Sequence, residues 1–359
     1  MSNDSSLFTS LRLGPLTLPN RMVMAPMTRG RAGSDGTPSQ IMPRYYQSRA
    51  SAGLLVTEAT AISRMGTGWL GAPGIYTKAH VGGWQAVTKA VHTAGGRIFL
   101  QLWHMGRVSH PDFLDGQLPV GPSAIAAAGS THTHKGKQTY VTPRALAKSE
   151  IAGIVAEYAA AARMAREAGF DGVELHGANG YLIDQFLRDC SNQRSDEYGG
   201  SSQNRARFLL EVTKAVCSAW SPDRVGVRLS PNGNYNDMKD STPGTTFTHA
   251  ASELSKFGLA YLHVTEPLPG SPMHVPAPVV TPAMRKVFHG PLIVNGGYDA
   301  TSATAAIDSG AADLVAFGVP FLANPDLVKR FATGAKLNAP DFATLYTPGE
   351  KGYTDYATL

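Results

Sequence analysis

Apolar residues in this chain fall into short bursts separated by longer amphipathic stretches, and the two kinds of segment alternate without a break from residue 21 onward. The first burst, 21–27, ends at Thr28; an amphipathic stretch over 39–52 leads to a burst at 54–58, and another over 79–94 leads to 98–102. Short continuous apolar bursts predict buried strands of a parallel sheet, and the stretches between them predict helices. The helix at 150–168, closed by Gly169, leads to a strand at 172–175; 205–219 leads to 225–229, and 247–257, closed by Gly258, leads to 261–264. Thr281-Pro282 offers the next helix a capping hydroxyl and a first-turn proline before the strand at 292–294. A helix at 300–309 precedes the strand at 314–316, and Asn324-Pro325-Asp326 opens a last helix with an acid at its positive end. About eight units in succession predict an α/β fold, a single (β/α)8 TIM barrel spanning 1–359, rather than two Rossmann halves.

Three segments stand outside the repeat. Alternating pieces around Gly14-Pro15 predict a small N-terminal hairpin. Excursions at 59–78 and 104–149 follow strands two and three, and the proline-punctuated stretch 116–143 predicts a surface cap.

Composition narrows the function classes. A hydrophobic fraction of 43% with 16% charged residues supplies a core and excludes disorder over most of the chain. Two cysteines, Cys190 and Cys217, make neither a disulfide framework nor a zinc pair, which fits a reducing compartment. Residues 1–10 lack a secretory pattern, and Glu157, Arg163, Arg166 and Glu167 interrupt the most apolar helix, so a cytoplasmic protein with no membrane partner is expected. The net charge of +5 is scattered, which argues against nucleic acid and for a local taste for phosphate.

Candidate chemistry gathers at the C-terminal ends of the strands. His176-Gly177-Ala178-Asn179-Gly180-Tyr181 puts an imidazole, a carboxamide and a phenol on one loop after strand four. His176 and Asn179 could hold one oxygen of a carbonyl or nitro group while Tyr181 supplies a proton, since a phenol with a pKa of about 10 is an acid near neutrality. Thr28, Gln101 and Arg228 belong to other strand ends, and Gly296, Gly297 and Gly318 follow strands seven and eight, where barrels recurrently bind phosphate. Arg228 needs a negative partner, either Glu58 or Glu266 or an anionic ligand. The sequence Gly66-Thr67-Gly68-Trp69-Leu70-Gly71 matches a dinucleotide fingerprint but neither closes a strand nor opens a helix. His132 and His134 have no third ligand at metal spacing, so no metal is expected; 192–200 is expected to be an ordered loop bracing the site.

The ordered motifs Ala25-Pro26-Met27-Thr28-Arg29, Gln101-Leu102-Trp103-His104, Glu174 through Leu182, Ser191-Asn192-Gln193-Arg194, Tyr198-Gly199-Gly200, Ala323-Asn324-Pro325-Asp326-Leu327 and Gly352-Tyr353-Thr354-Asp355-Tyr356 run nearly end to end. Together they resemble the Old Yellow Enzyme family of flavin-dependent ene-reductases, above all its bacterial N-ethylmaleimide and nitrate-ester reductases. The resemblance implies non-covalent FMN, reduced by NADPH or NADH and reoxidised by an electrophilic alkene, an α,β-unsaturated carbonyl or nitro compound. It implies that His176 and Asn179 bind the activating oxygen and Tyr181 protonates the α-carbon. It places Thr28, Gln101 and Arg228 on the flavin ring, with Pro26, Met27 and Ala59 packed beside it. The phosphate would fall to Gly296, Gly297, Gly318 and Val319, and Trp69, Trp103 and Tyr353 would wall the substrate space. Val319 stands where relatives commonly carry arginine, and Trp69 where they often carry tyrosine. A monomer or homodimer is expected. Two other readings remain open at this point, a non-redox barrel lyase or isomerase on a phosphorylated substrate, and a flavin-binding protein without efficient turnover.

Overall fold

Eight parallel strands close on themselves: β1 (Met22–Met24), β2 (Leu54–Val56), β3 (Ile98–Trp103), β4 (Gly172–Gly177), β5 (Val225–Leu229), β6 (Tyr261–Thr265), β7 (Leu292–Asn295) and β8 (Leu314–Phe317). Each pairs with the next, β8 pairs with β1 through Ala316 and Val23, and the ring is a (β/α)8 barrel. The computed structural model describes residues 5–267 and 278–359.

Helices follow each strand: α1 (Met42–Gln47), α2 (Lys78–Thr93), α3 (Lys148–Glu167), α4 (Ser202–Ala219), α5 (Pro243–Ser255), α6 (Thr281–Val287), α7 (Ala300–Asp308) and α8 (Leu327–Thr333). Their apolar stripes cover the outside of the barrel. Trp84, Val87 and Val91 do so from α2, and Ile151, Ile154, Tyr158 and Ala165 from α3, at the spacing that keeps side chains on one helix face.

A separate cluster fills the inside. Val23, Leu54, Val56, Phe99, Tyr261, Ile293, Leu314 and Ala316 meet Leu13 and Leu18, which come from the antiparallel hairpin Leu11–Leu13/Leu16–Leu18. The hairpin therefore stops the barrel with leucine side chains. Gly226 makes room for this packing, because a Cβ there would lie 2.2 Å from the Tyr261 ring. Above β3 the cap carries the hairpin Ser130–Thr133/Gly136–Thr139 and the parallel pair Val120–Gly121/Arg144–Ala145.

Some local expectations need correction. The first strand stops at Met24, and the first helix is Met42–Gln47 rather than 39–52. Thr281 is not a cap; Val280 holds that position and the Thr281 hydroxyl has no partner among the described residues. Asp326 does precede α8, but its carboxylate accepts from the Arg330 side chain Nε and the Leu359 N–H, each at 2.7 Å, instead of capping a backbone N–H of the helix. His132 and His134 are exposed, and among the described residues no cluster is placed to hold a metal and no helix is long and apolar enough to cross a membrane.

Because Leu18 is fully buried in the barrel interior, Leu18→Ala should cost roughly 2–5 kcal/mol. Urea unfolding would measure it, and a loss below about 1 kcal/mol would mean that the hairpin is an appendage rather than a stopper.

Candidate active site

The loop after β4 is held from both sides. Asn179 adopts a left-handed backbone, φ 59°, unusual for a residue with a side chain. Its N–H donates to Ser230 Oγ at 2.8 Å and its carbonyl accepts from Asn236 Nδ2 at 2.8 Å. Gly180, at φ 77°, donates to buried Asp184, which is itself paired with Arg188 at 2.8 Å. A side chain at Gly180 has no room, since its Cβ would meet Asn236 and Met238 at 2.7 Å. Tyr181 then starts the short helix Leu182–Leu187, with its ring edge-on to His176 at 4.8 Å and to Trp103 at 4.9 Å.

Burial tunes this loop. It holds the His176 imidazole well below its ordinary pKa, and the neighbouring Arg228 charge and His263 push the same way, so His176 is neutral. Burial raises the Tyr181 phenol well above its ordinary value, with Tyr235 and Tyr140 adding to the effect. His176 Nδ1 is buried without a partner.

Beneath the loop lies a polar layer. Gln101 of β3 donates to Glu174 of β4 at 2.7 Å, and His263 of β6 pairs with the other Glu174 oxygen at 2.9 Å. Arg228 donates to Asn295 at 2.9 Å, while its Nε is buried with no partner among the described residues. Of the partners expected for it, Glu58, Glu266 or an anionic ligand, the structure removes the two acids. Glu58 accepts from the N–H groups of Arg29 and Gly30 and from Tyr46, and Glu266 accepts from Tyr298. The charge that offsets Arg228 is Glu174.

Two adjoining cavities open over this layer. One, of about 310 Å³, is lined by Pro26, Thr28, Ala59, Trp69, Gln101, His176, Asn179, Tyr181 and Arg228, together with Tyr235 and Tyr346. The other, of about 490 Å³, shares Asn179, Arg228 and Tyr235 and is lined further on by Asn295, Gly296, Gly297, Gly318 and Val319. Among the described residues, the backbone N–H groups of Gly296, Gly297, Gly318 and Val319 donate to no backbone carbonyl. Arg228 is the only Lys or Arg lining either cavity among those residues.

Three expected residues lie elsewhere. Tyr353 lines neither cavity; it is buried, stacked on Tyr45 at 4.0 Å with the Arg31 guanidinium over its ring. Trp103 packs edge-on to Tyr181 and lines, with Trp69, a third cavity of about 620 Å³ rather than these two, and Met27 is half-buried near Gly318. Residues 192–200 brace the cap instead of the cavity, Arg194 donating to the carbonyls of Pro122 and Leu146. The fingerprint-like glycines lie in the loop after β2, where Gly71 packs against Gly30.

Sequence reasoning missed Tyr235, Tyr346 and Glu174. Glu174 was detectable, because it sits two residues before His176 and so faces the same side of the strand. Tyr346 gave no local signal. It reaches Trp69, ring centroids 5.2 Å apart, because Arg29 and Arg31 clamp the chain around it. Arg29 donates to the carbonyls of Leu345 and Gly352, and Arg31 to those of Thr344 and Leu345.

This donor set fits a phosphorylated ring system such as FMN. Backbone N–H groups are available to an anion at one end, an Arg228 Nε unpartnered among the described residues sits between, and Thr28 and Gln101 offer hydrogen bonds at the other.

Comparison with known proteins follows the same line. The profile of the NADH:flavin oxidoreductase / NADH oxidase family matches residues 6–338. A probable flavin mononucleotide-dependent alkene reductase of Leishmania infantum is 47% identical over 352 residues, 96% of this chain and 95% of that protein. The old yellow enzyme homologue from Zymomonas mobilis superposes with a TM-score of 0.97 at 48% identity, covering 99% of this chain and 100% of that one. Morphinone reductase in complex with tetrahydroNAD superposes with a TM-score of 0.93 at 48% identity, covering 99% and 98%.

Gly180→Ala should cost roughly 1–3 kcal/mol and displace the 176–181 loop, because it combines backbone strain with a clash. A thermal melt checks the cost; an unchanged melting temperature would show that the loop yields easily.

Proposed function

The chain belongs to the NADH:flavin oxidoreductase / NADH oxidase family, in its Old Yellow Enzyme branch, and on that premise we propose how its own residues carry out the family's reaction. It is an NAD(P)H-dependent, FMN-dependent ene-reductase acting on the C=C bond of α,β-unsaturated carbonyl or nitro compounds. The chemistry that FMN supplies when bound is storage of a hydride between two half-reactions.

One observation carries the assignment of roles: His176, Asn179 and Tyr181 line the same cavity as Thr28, Gln101 and Arg228. Neutral His176 and the Asn179 carboxamide donate hydrogen bonds to the carbonyl or nitro oxygen of the substrate. That oxygen gains negative charge as the β-carbon is reduced, so donors fixed in advance around it favour the transition state over the ground state. Burial strengthens both contacts by excluding water. Tyr181, protonated because its phenol is buried, delivers a proton to the α-carbon from the same loop. Trp69, Tyr235 and Tyr346 give the alkene an aromatic enclosure without charge.

Thr28 and Gln101 would hold the polar edge of the flavin ring, Pro26 and Ala59 would give it apolar surroundings, and Arg228 would offset negative charge on it. The backbone N–H groups of Gly296, Gly297, Gly318 and Val319 would hold its phosphate. Val319 is 45% exposed, so the position is open to a longer side chain.

Purified protein should show a flavin absorption band that bleaches with NADPH under anaerobic conditions and returns with cyclohexenone; no band after incubation with FMN would sink the assignment. Tyr181→Phe should slow the return by about 10²–10⁴ while sparing the bleaching. His176 stays neutral above its ordinary value of about 6.5, and Tyr181 stays protonated below its ordinary value of about 10, so neither changes charge between those limits. The wild-type return rate should accordingly be flat from about pH 7 to 9.5, and a titration there that vanished in Tyr181→Phe would contradict a protonated phenol. Val319→Arg should tighten FMN binding by about tenfold or more, measured by quenching of flavin fluorescence. An unchanged dissociation constant would move the phosphate away from this turn.

A further inference from the structure

Glu174 takes no part in the chemistry above, yet it is fully buried directly beneath it. One carboxylate oxygen accepts from Gln101 Nε2 at 2.7 Å, and the other is held by His263 Nδ1 at 2.9 Å. A carboxylate can only accept hydrogen bonds, whereas a carboxamide both donates and accepts. Gln101 must therefore turn its NH2 group toward Glu174. What remains for the cavity is the Gln101 carbonyl oxygen with one N–H beside it, an acceptor next to a donor. That pair complements a cyclic imide edge, in which an N–H sits beside a carbonyl, and it mismatches an edge that lacks the N–H.

Glu174 also supplies the negative charge facing Arg228 in the barrel interior, where among the described residues Arg228 has Asn295 as its one hydrogen-bond partner. His263 is buried with its Nε2 unpartnered, so the Glu174 pair ends there and is closed to water.

We propose that Glu174 is a positioning residue: it fixes the polarity that Gln101 offers to the imide edge of the flavin, and by offsetting Arg228 it limits how strongly reduced flavin is favoured over oxidised. The inference rests on the flavin reading above. It predicts selectivity in binding, apart from any turnover.

The apoprotein is titrated with FMN and with N3-methyl-FMN, which keeps the ring, chain and phosphate but lacks the imide N–H. Wild type should prefer FMN by about tenfold or more. Glu174→Gln keeps the reach and removes the charge; Glu174→Asp keeps the charge and withdraws it by one methylene. Both should lower the preference for FMN by about fivefold. Only Glu174→Gln should raise the midpoint potential, because it leaves Arg228 unopposed; a tenfold rise in the ratio of oxidised to reduced dissociation constants is about 30 mV for a two-electron couple. Wild-type preference retained in Glu174→Asp overturns the positioning role, and so decides the matter even where Glu174→Gln does not fold. An unchanged potential in folded Glu174→Gln overturns the electrostatic one. Uptake of neither flavin by wild type overturns the flavin reading itself.

Discussion

A guanidinium inside a barrel must be answered by negative charge nearby, and the interior of this one is arranged around that need. Burial alone lowers the Arg228 pKa, and Glu174 is the first counterweight. Burial likewise opposes ionisation of Glu174, but His263, Arg228 and Gln101 outweigh it and keep the carboxylate charged. His263 stays neutral because its own desolvation prevails. The result is one anion, one cation and neutral donors between them, held at low dielectric by the leucine stopper below. Remove any of them and a buried polar group is left without its answer.

Catalytic loop and polar layer then follow from strand geometry. Glu174 and His176 face the same way on β4, with Gln101 opposite Glu174 on β3 and Arg228 opposite His176 on β5. Register therefore sorts the polar groups by height, Glu174 with Gln101 deeper and His176 with Arg228 nearer the mouth. The strained Asn179–Gly180 turn lifts Tyr181 out of the strand direction, and Asp184, Ser230 and Asn236 hold it there.

Strands and helices were legible in the chain because burial on both faces leaves a plain signature, short apolar bursts between amphipathic stretches. Strand-end residues such as Thr28, Gln101 and Arg228 were legible for the same reason, since the barrel brings every strand end to one mouth. Partner choice was not. Glu58 and Glu266 were plausible for Arg228 until their own hydrogen bonds to Arg29, Gly30, Tyr46 and Tyr298 removed them. Tyr353 carries a family motif yet serves a stack with Tyr45, and Tyr346, seven residues earlier, reaches the cavity only because two arginines hold its backbone. Such tertiary arrangements have no local periodicity to betray them.

The clamp on 344–352 also orders events in time. A ribosome delivers this chain from Arg29 forward, and all eight strands are made before the carbonyls that Arg29 and Arg31 bind exist. The larger cavity, lined by residues no later than Pro320, is complete in sequence by then, while the smaller one still lacks Tyr346. In order of synthesis, every residue that lines the larger cavity therefore precedes Tyr346, which completes the smaller.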